Sequence, residues 1–264
     1  MIDRHRLEAI VREAGRIALA GWPGDGHVLD HWEKSPGNPV CAIDLEVDSF
    51  LRHELRALLP AAGWLSEETT DAPERLGDSL VWLVDPIDGT RDFIRGRDGW
   101  AVSVALVNNG RPLFGHLYAP ARRRDEQGEF WFGEAGKGSW RNGTRLAASR
   151  RQSLAGARVP ARKLAPEDID LQTVDQPNSI ALRMAMVAAD EADLLATLRW
   201  GYEWDIAAAG LIAREAGAVV TDAFGQPLNY NKHDPRAFGV LVTSYAIHGD
   251  AVERLADRAR KFSA

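Results

Sequence analysis

The residues best suited to chemistry stand together in Val84-Asp85-Pro86-Ile87-Asp88-Gly89-Thr90. Asp85 and Asp88 are three apart across a proline, so at a strand end both carboxylates can enter one small volume. Two carboxylates that close repel, which raises a pKa or demands a cation between them. Hard oxygen donors of this kind suit Mg²⁺ or Mn²⁺. Gly89 and Thr90 add N–H groups and a hydroxyl, a cradle for phosphate where a helix begins. The same residues also spell an Asp-Pro-x-Asp-Gly turn in which Asp only caps the local backbone. Upstream, Leu65-Ser66-Glu67-Glu68 closes a short apolar run with an acidic pair. Downstream, Glu203-Trp204-Asp205-Ile206-Ala207-Ala208-Ala209-Gly210 sets Asp205 at the start of an Ala-rich helix, where Asp also stabilises the terminus by roughly 0.5–2 kcal/mol.

These groups must be positioned by elements far apart in the chain. Helical spacing predicts a first helix with Ile10, Ala14, Ile17 and Ala18 on one face, and a second from about Ala42 to Leu59 with Leu45, Phe50, Leu51, Leu55 and Leu58 inward. The period then changes. Residues 80–85, 100–109 and 111–120 read as strands, with Asn109-Gly110 as a hairpin turn, and 129–146 carries another strand and a second hairpin at Asn142-Gly143. Around 149–170 the composition shifts to Arg, Ala and Pro, which marks a join between residues 1–150, an α+β half, and 151–264, an α/β half. Beyond it, 179–189, 204–216 and 247–262 read as helices, and 219–223 and 238–244 as strands.

Composition removes several classes of function. The 264 residues carry 32 Lys and Arg against 38 Asp and Glu, a net charge of −6, which disfavours a binder of nucleic-acid polymers. The one cysteine, Cys41, excludes an internal disulfide and a cysteine zinc site and fits a reducing compartment. No run approaches the ~20 apolar residues of a membrane span, and the N-terminus reads as an amphipathic helix; a cytoplasmic location follows as an expectation. The seven histidines show no ligand spacing and read as mostly surface residues, and the nine tryptophans as core. The runs Arg122–Arg124 and Arg150-Arg151 read as solvated loops or as a lip that attracts an anion.

LSEE, DPIDGT and WDIAAAG, in this order, resemble the three signature segments of the inositol monophosphatase superfamily of Mg²⁺-dependent, lithium-sensitive phosphatases. The segment from Lys34 to Asp44 is similar to the family's entry to its second helix, with Cys41 where a Thr is common; Cys41 is expected to serve packing. The resemblance implies a five-layer α/β/α/β/α sandwich of the inositol monophosphatase/fructose-1,6-bisphosphatase type, with the active site between the halves. It implies two or three Mg²⁺ ions, replaceable by Mn²⁺: Glu67, Asp85 and the carbonyl of Ile87 for the first, Asp85, Asp88 and Asp205 for the second. Glu68 is a weaker candidate. Glu67 and Thr90, supported by Asp44, are implied to orient the attacking water, so that a phosphomonoester is hydrolysed without a covalent phosphoenzyme.

The implied substrate is a small phosphorylated metabolite, bound by Asp88, Gly89, Thr90 and Asp205. Two details resemble the bisphosphate nucleotidase branch, which removes the 3′-phosphate of adenosine 3′,5′-bisphosphate: LSEE itself, and Glu203 before Trp204-Asp205. A third, Asn178-Ser179-Ile180-Ala181-Leu182-Arg183, is similar to that branch's Gly-Ser-x-x-Leu-Lys and would bring Ser179 and Arg183 to the substrate. Inositol 1-phosphate, or histidinol phosphate, is the alternative. Asp190 stands where the family has Gly. Members are often dimers, and a homodimer is compatible with this chain.

Overall fold

The computed structural model describes residues 2–24, 28–35, 37–122 and 127–263. Arg123, Arg124 and Pro36 lie outside the described residues. The chain runs α1 (Arg4–Gly21), β1 (Trp32–Ser35), β2 (Asn38–Val40), α2 (Ala42–Leu58), β3 (Gly63–Ser66), β4 (Leu80–Asp88), α3 (Thr90–Ile94), β5 (Ala101–Asn108), β6 (Arg111–Ala119), β7 (Glu129–Glu134), β8 (Gly138–Arg141) and β9 (Thr144–Arg145). It continues with β10 (Arg158–Pro160), β11 (Gln172–Val174), α4 (Ile180–Ala188), β12 (Leu194–Tyr202), α5 (Glu203–Glu215), β13 (Val219–Thr221), β14 (Arg236–Thr243) and α6 (His248–Ser263). Asn109, Gly110, Asn142 and Gly143 all take positive φ, as the two hairpin turns require.

β3 to β9 form one sheet in sequence order, antiparallel except for the parallel pair β3–β4, and β12, β14 and β13 form a second sheet in that order. Alternation along the strands supplies two buried faces to the large sheet. Trp64, Trp82, Val84, Val104 and Phe130 meet α1 and α2, whereas Leu65, Val81, Leu83, Leu117 and Trp131 meet α4 and α5. The helices α4 and α5 are thus covered on their other side by β12–β14, and α6 closes that sheet through Leu255, Ala251 and Leu241. This is the five-layer α/β/α/β/α sandwich. All strands of the large sheet lie before residue 150 and those of the second sheet after it, and we propose the division there on that ground.

The close approach of α5 to the sheet is set by small residues. Gly115 and Gly133 are cross-strand partners, and a Cβ on them would lie 2.5 Å from the carbonyl oxygen of Ala208 and 3.1 Å from the Cα of Ile212, one helical turn apart. Gly115→Ala is therefore expected to lower stability by about 2–4 kcal/mol by lifting the helix that carries Asp205. A chemical denaturation midpoint equal to that of the parent would overturn this packing argument.

Three local expectations are corrected. Leu45 is 44% exposed, because the inward face of α2 is Asp44, Val47, Asp48, Leu51 and Leu55: two acids on it serve the site rather than the core. His116 is not a surface residue but is buried between Phe130 and Phe132, and burial pushes its pKa down to about 3, so it stays neutral. Trp200 is not core; it is 52% exposed on β12, a strand whose mixed Arg, Trp and Tyr gave no clean period.

Candidate active site

The site follows from the parallel pairing of β3 and β4. Leu65 lies beside Leu83 and Ser66 beside Val84, and the N–H of Glu67 still donates to the carbonyl of Val84 at 3.2 Å. Strand alternation then puts Glu67 and Asp85 on the face that carries Leu65 and Leu83, which is the face covered by α5. The helix presents its N-terminal turn at the same end, where the hydroxyl of Ser103, the cross-strand partner of Asp85, donates to the carbonyl of Trp204 at 3.3 Å. One carboxylate oxygen each from Glu67, Asp85 and Asp205 lie within 4.8 Å of one another.

Three like charges in one buried space cost free energy unless protons or a cation enter with them. Burial, then the charges of Glu67 and Asp88, hold both Asp85 and Asp205 well above the usual carboxylate range. Burial pushes Glu68 up to about 7 and Asp44 up to about 6. The nearest protein cation is Lys34, whose ammonium meets Glu67 at 2.9 Å and Glu68 at 2.6 Å. Burial works against that charge, yet the two glutamates outweigh it and raise the Lys34 pKa. An all-oxygen set that converges without an arginine among its members fits a hard divalent cation.

Asp88 is placed differently from its neighbours. Its carboxylate accepts the Ser179 hydroxyl at 2.5 Å and the N–H groups of Ala181 at 2.7 Å and Ile180 at 3.3 Å, so it caps α4 while it lines the cleft. Burial, offset by those hydrogen bonds, pushes it up to about 6. Gly89 turns the chain at φ 99° into α3, and a Cβ there would meet the carbonyl oxygen of Gly99 at 2.7 Å and the amide nitrogen of Ser179 at 2.9 Å. Thr90 sits at the mouth of the site: its hydroxyl donates to the Ile87 carbonyl at 3.0 Å and lies 3.4 Å from Asp44. Asp44 in turn accepts the N–H and the thiol of Cys41, both at 2.9 Å. Cys41 is therefore more than packing; burial and the charge of Asp44 push the thiol up to about 12, so it stays a donor as a threonine hydroxyl would.

The structure does not bring Ser179 and Arg183 to the cavity wall. The Ser179 hydroxyl is spent on Asp88, and the Arg183 guanidinium, pushed down to about 10 by burial, folds back on the carbonyls of Ser179 and Asn178. Glu203 also turns away: it accepts the N–H groups of Asn231 at 2.5 Å and Lys232 at 3.2 Å. What lines the cleft of about 320 Å³ instead is Arg91, Arg199, Trp200 and Tyr202, with Ser35, Gly37 and Pro39 of the β1–β2 hairpin opposite. Tyr202 stacks flat on Trp204 at 4.4 Å, and Trp200 meets Phe238 edge-on at 5.5 Å. The signal for this wall was the cluster Arg199-Trp200-Gly201-Tyr202 just before the Trp204-Asp205 pair. Asp48, which accepts the hydroxyls of Ser66 and of Thr69, the latter at 2.6 Å, and so fixes both ends of the Glu67-Glu68 segment, was visible as an acid four residues beyond Asp44.

A family model described as the inositol monophosphatase family matches residues 4–261. The chain belongs to the inositol monophosphatase family. A fructose-1,6-bisphosphatase/inositol-1-monophosphatase of Thermotoga maritima is 33% identical over 230 residues, 83% of this chain and 84% of its own length. The 3′(2′),5′-bisphosphate nucleotidase CysQ of Escherichia coli is 30% identical over 231 residues, 85% and 92% of the two chains. Among solved structures, a Thermotoga maritima IMPase superposes with a TM-score of 0.79 at 26% identity and covers 97% of each chain. As an inositol monophosphatase family member the protein is a metal-dependent phosphomonoesterase acting on small phosphorylated substrates. No helix among the described residues is long and apolar enough to cross a membrane.

Proposed function

We propose that the protein is a 3′(2′),5′-bisphosphate nucleotidase that removes the 3′-phosphate of adenosine 3′,5′-bisphosphate. The observation that carries this reading is the wall that Arg199, Trp200 and Tyr202 form next to Asp205, whose carboxylate accepts the Tyr202 N–H at 3.1 Å. Trp200 and Tyr202 are 52% and 40% exposed beside the cleft, and Arg199 has no hydrogen-bond or ion-pair partner among the described residues. Half-exposed rings next to a free guanidinium suit a purine and a second phosphate, whereas a polyol phosphate has no aromatic face to offer. The second reading, an inositol-1-monophosphatase, draws on the 33% identical relative whose name includes that activity.

In this reading Glu67, Asp85, the Ile87 carbonyl, Asp88 and Asp205 hold Mg²⁺, for which Mn²⁺ can substitute and against which Li⁺ competes. When bound, the cations supply Lewis acidity towards the phosphoryl oxygens and lower the pKa of water. Glu67 offers a carboxylate to one proton of the attacking water. The Thr90 hydroxyl, its own proton directed at Ile87 or Asp44, keeps lone pairs for the other. The N–H groups of Gly89 and Thr90 face charge that develops on the equatorial oxygens. The reading places the enzyme in the cytoplasm.

Phosphate release from adenosine 3′,5′-bisphosphate should exceed that from inositol 1-phosphate at least tenfold in kcat/KM, about 1.4 kcal/mol in transition-state binding. Arg199→Ala should cost the bisphosphate roughly 10- to 100-fold and leave inositol 1-phosphate within about twofold. Faster turnover of inositol 1-phosphate by the parent enzyme would overturn the nucleotide assignment and leave the family chemistry in place.

A further inference from the structure

Glu67 and Asp205 come from segments 138 residues apart, and besides the sheet and helix that carry them, one buried side chain links the two segments through residues 231 and 232. Arg75, 2% exposed, grips Asp71 with two donors at 2.6 and 2.8 Å, four residues beyond Glu67. Its Nη1 donates to the Asn231 side-chain oxygen at 2.6 Å, and the Nη2 that holds Asp71 also donates to the Lys232 carbonyl at 3.0 Å. Asn231 returns a bond to the Arg75 carbonyl at 3.3 Å. With φ at 58°, Asn231 is in the left-handed region, and its N–H and that of Lys232 both donate to the Glu203 carboxylate. Glu203 is the first residue of α5, two before Asp205.

From this continuous chain of hydrogen bonds we infer that Arg75 is a positioning residue for the cation site: through Asn231 and Glu203 it sets the distance between the acidic segment after β3 and the first turn of α5. The inference rests on the cation reading of the carboxylates. A planar guanidinium suits the task because its fork fixes Asp71 and Asn231 in one plane, a geometry that a lysine ammonium cannot supply. Carboxylates held at a fixed separation bind a cation without first losing freedom, so loosening the brace falls on cation affinity more than on the chemical step. Residues that orient metal ligands from behind typically change affinity 10- to 100-fold.

The test is Mn²⁺ binding to the intact protein, read by electron paramagnetic resonance of the free ion. Arg75→Met should raise the Mn²⁺ Kd about tenfold while kcat at saturating Mn²⁺ stays within about twofold, and Arg75→Lys should fall between it and the parent. Asn231→Gly suits the positive φ and keeps the N–H for Glu203, so it cuts only the side-chain link and should raise the Kd in the same direction even where Arg75→Met fails to fold. The double variant should bind no more weakly than Arg75→Met alone, since both cut one chain. Replacing Arg258 of α6, which makes a comparable fork on Asp168, by methionine (Arg258→Met) should lower the melting temperature without moving the Kd. An unchanged Kd in folded Asn231→Gly and Arg75→Lys overturns the positioning role, and failure of the parent to bind Mn²⁺ overturns the cation reading beneath it.

Discussion

Asp85→Asn is expected to lower kcat by at least ~10³-fold, about 4 kcal/mol in the barrier, and at the same time to raise the melting temperature of the metal-free protein. Both effects have one cause. Asp85 is 2% exposed, has no arginine partner among the described residues, and shares its space with Glu67 and Asp205. Its charge has value only when a cation is present, and without one it repels its neighbours. An isosteric amide removes the repulsion and with it the ligand. Relief of ~1–2 kcal/mol corresponds to roughly 3–6 °C in a chain of this size. Steady-state phosphate release and a thermal melt in EDTA measure the two sides; a variant that is inactive but melts below the parent would show that Asp85 is structural.

Asp88→Asn should separate the two acids of the Asp-Pro-x-Asp motif, and it shows why sequence alone treated them as equivalent. Spacing across Pro86 says that both carboxylates reach one region, yet it cannot say which of them is claimed by a helix that arrives ninety residues later. The structure gives Asp88 three donors from the start of α4 and gives Asp85 one, the N–H of Ile87. Both carboxylate oxygens accept hydrogen bonds from the start of α4, and an amide nitrogen in place of either cannot, whereas a protonated carboxyl still can; Asp88→Asn should therefore reduce turnover and lower the melting temperature together, the opposite sign of the Asp85 result.

The same contrast runs through the rest of the chain. The hairpins at Asn109-Gly110 and Asn142-Gly143, the helix that bears Asp205 and the strand that carries Asp85 were legible because each is fixed by local turn chemistry or period. β12 was not, since its exposed end serves the cleft and breaks the alternation that marks a strand. Ser179 and Arg183 resemble substrate contacts by motif, but side-chain direction is a tertiary property: the Ser179 hydroxyl is taken by Asp88 and the Arg183 guanidinium by backbone carbonyls. Asp190, where the family has Gly, takes φ 57° and is held there by Arg158, so the turn survives the exchange through an ion pair.

The second large expected result is a stability that falls with pH until a cation is added. Burial holds Asp88 and Asp44 up to about 6, and Asp85 and Asp205 above the usual range, against an unfolded value near 3.8. An acid whose folded pKa is raised gives stability that is complete below the unfolded pKa and is lost as pH rises through the folded one. For Asp88 and Asp44 the loss falls between about pH 4 and 7, and Asp85 and Asp205 extend it upward. For Asp88 alone the rise of about two units is worth on the order of 3 kcal/mol, or roughly 10 °C. Groups of opposite sign act elsewhere: Asp193, where Arg158 outweighs burial, is pushed down to about 2, so its contribution is lost only in more acid solution. The metal-free protein should accordingly melt higher near pH 5 than near pH 7.5. Mg²⁺ should raise the melting temperature more at the higher pH, because there it displaces fewer protons from the carboxylates. Thermal melts at both pH values, in EDTA and in Mg²⁺, decide the matter: a metal-free melting temperature that is flat or rising across this range, with a Mg²⁺ shift independent of pH, would mean that the buried acids are not the cation site.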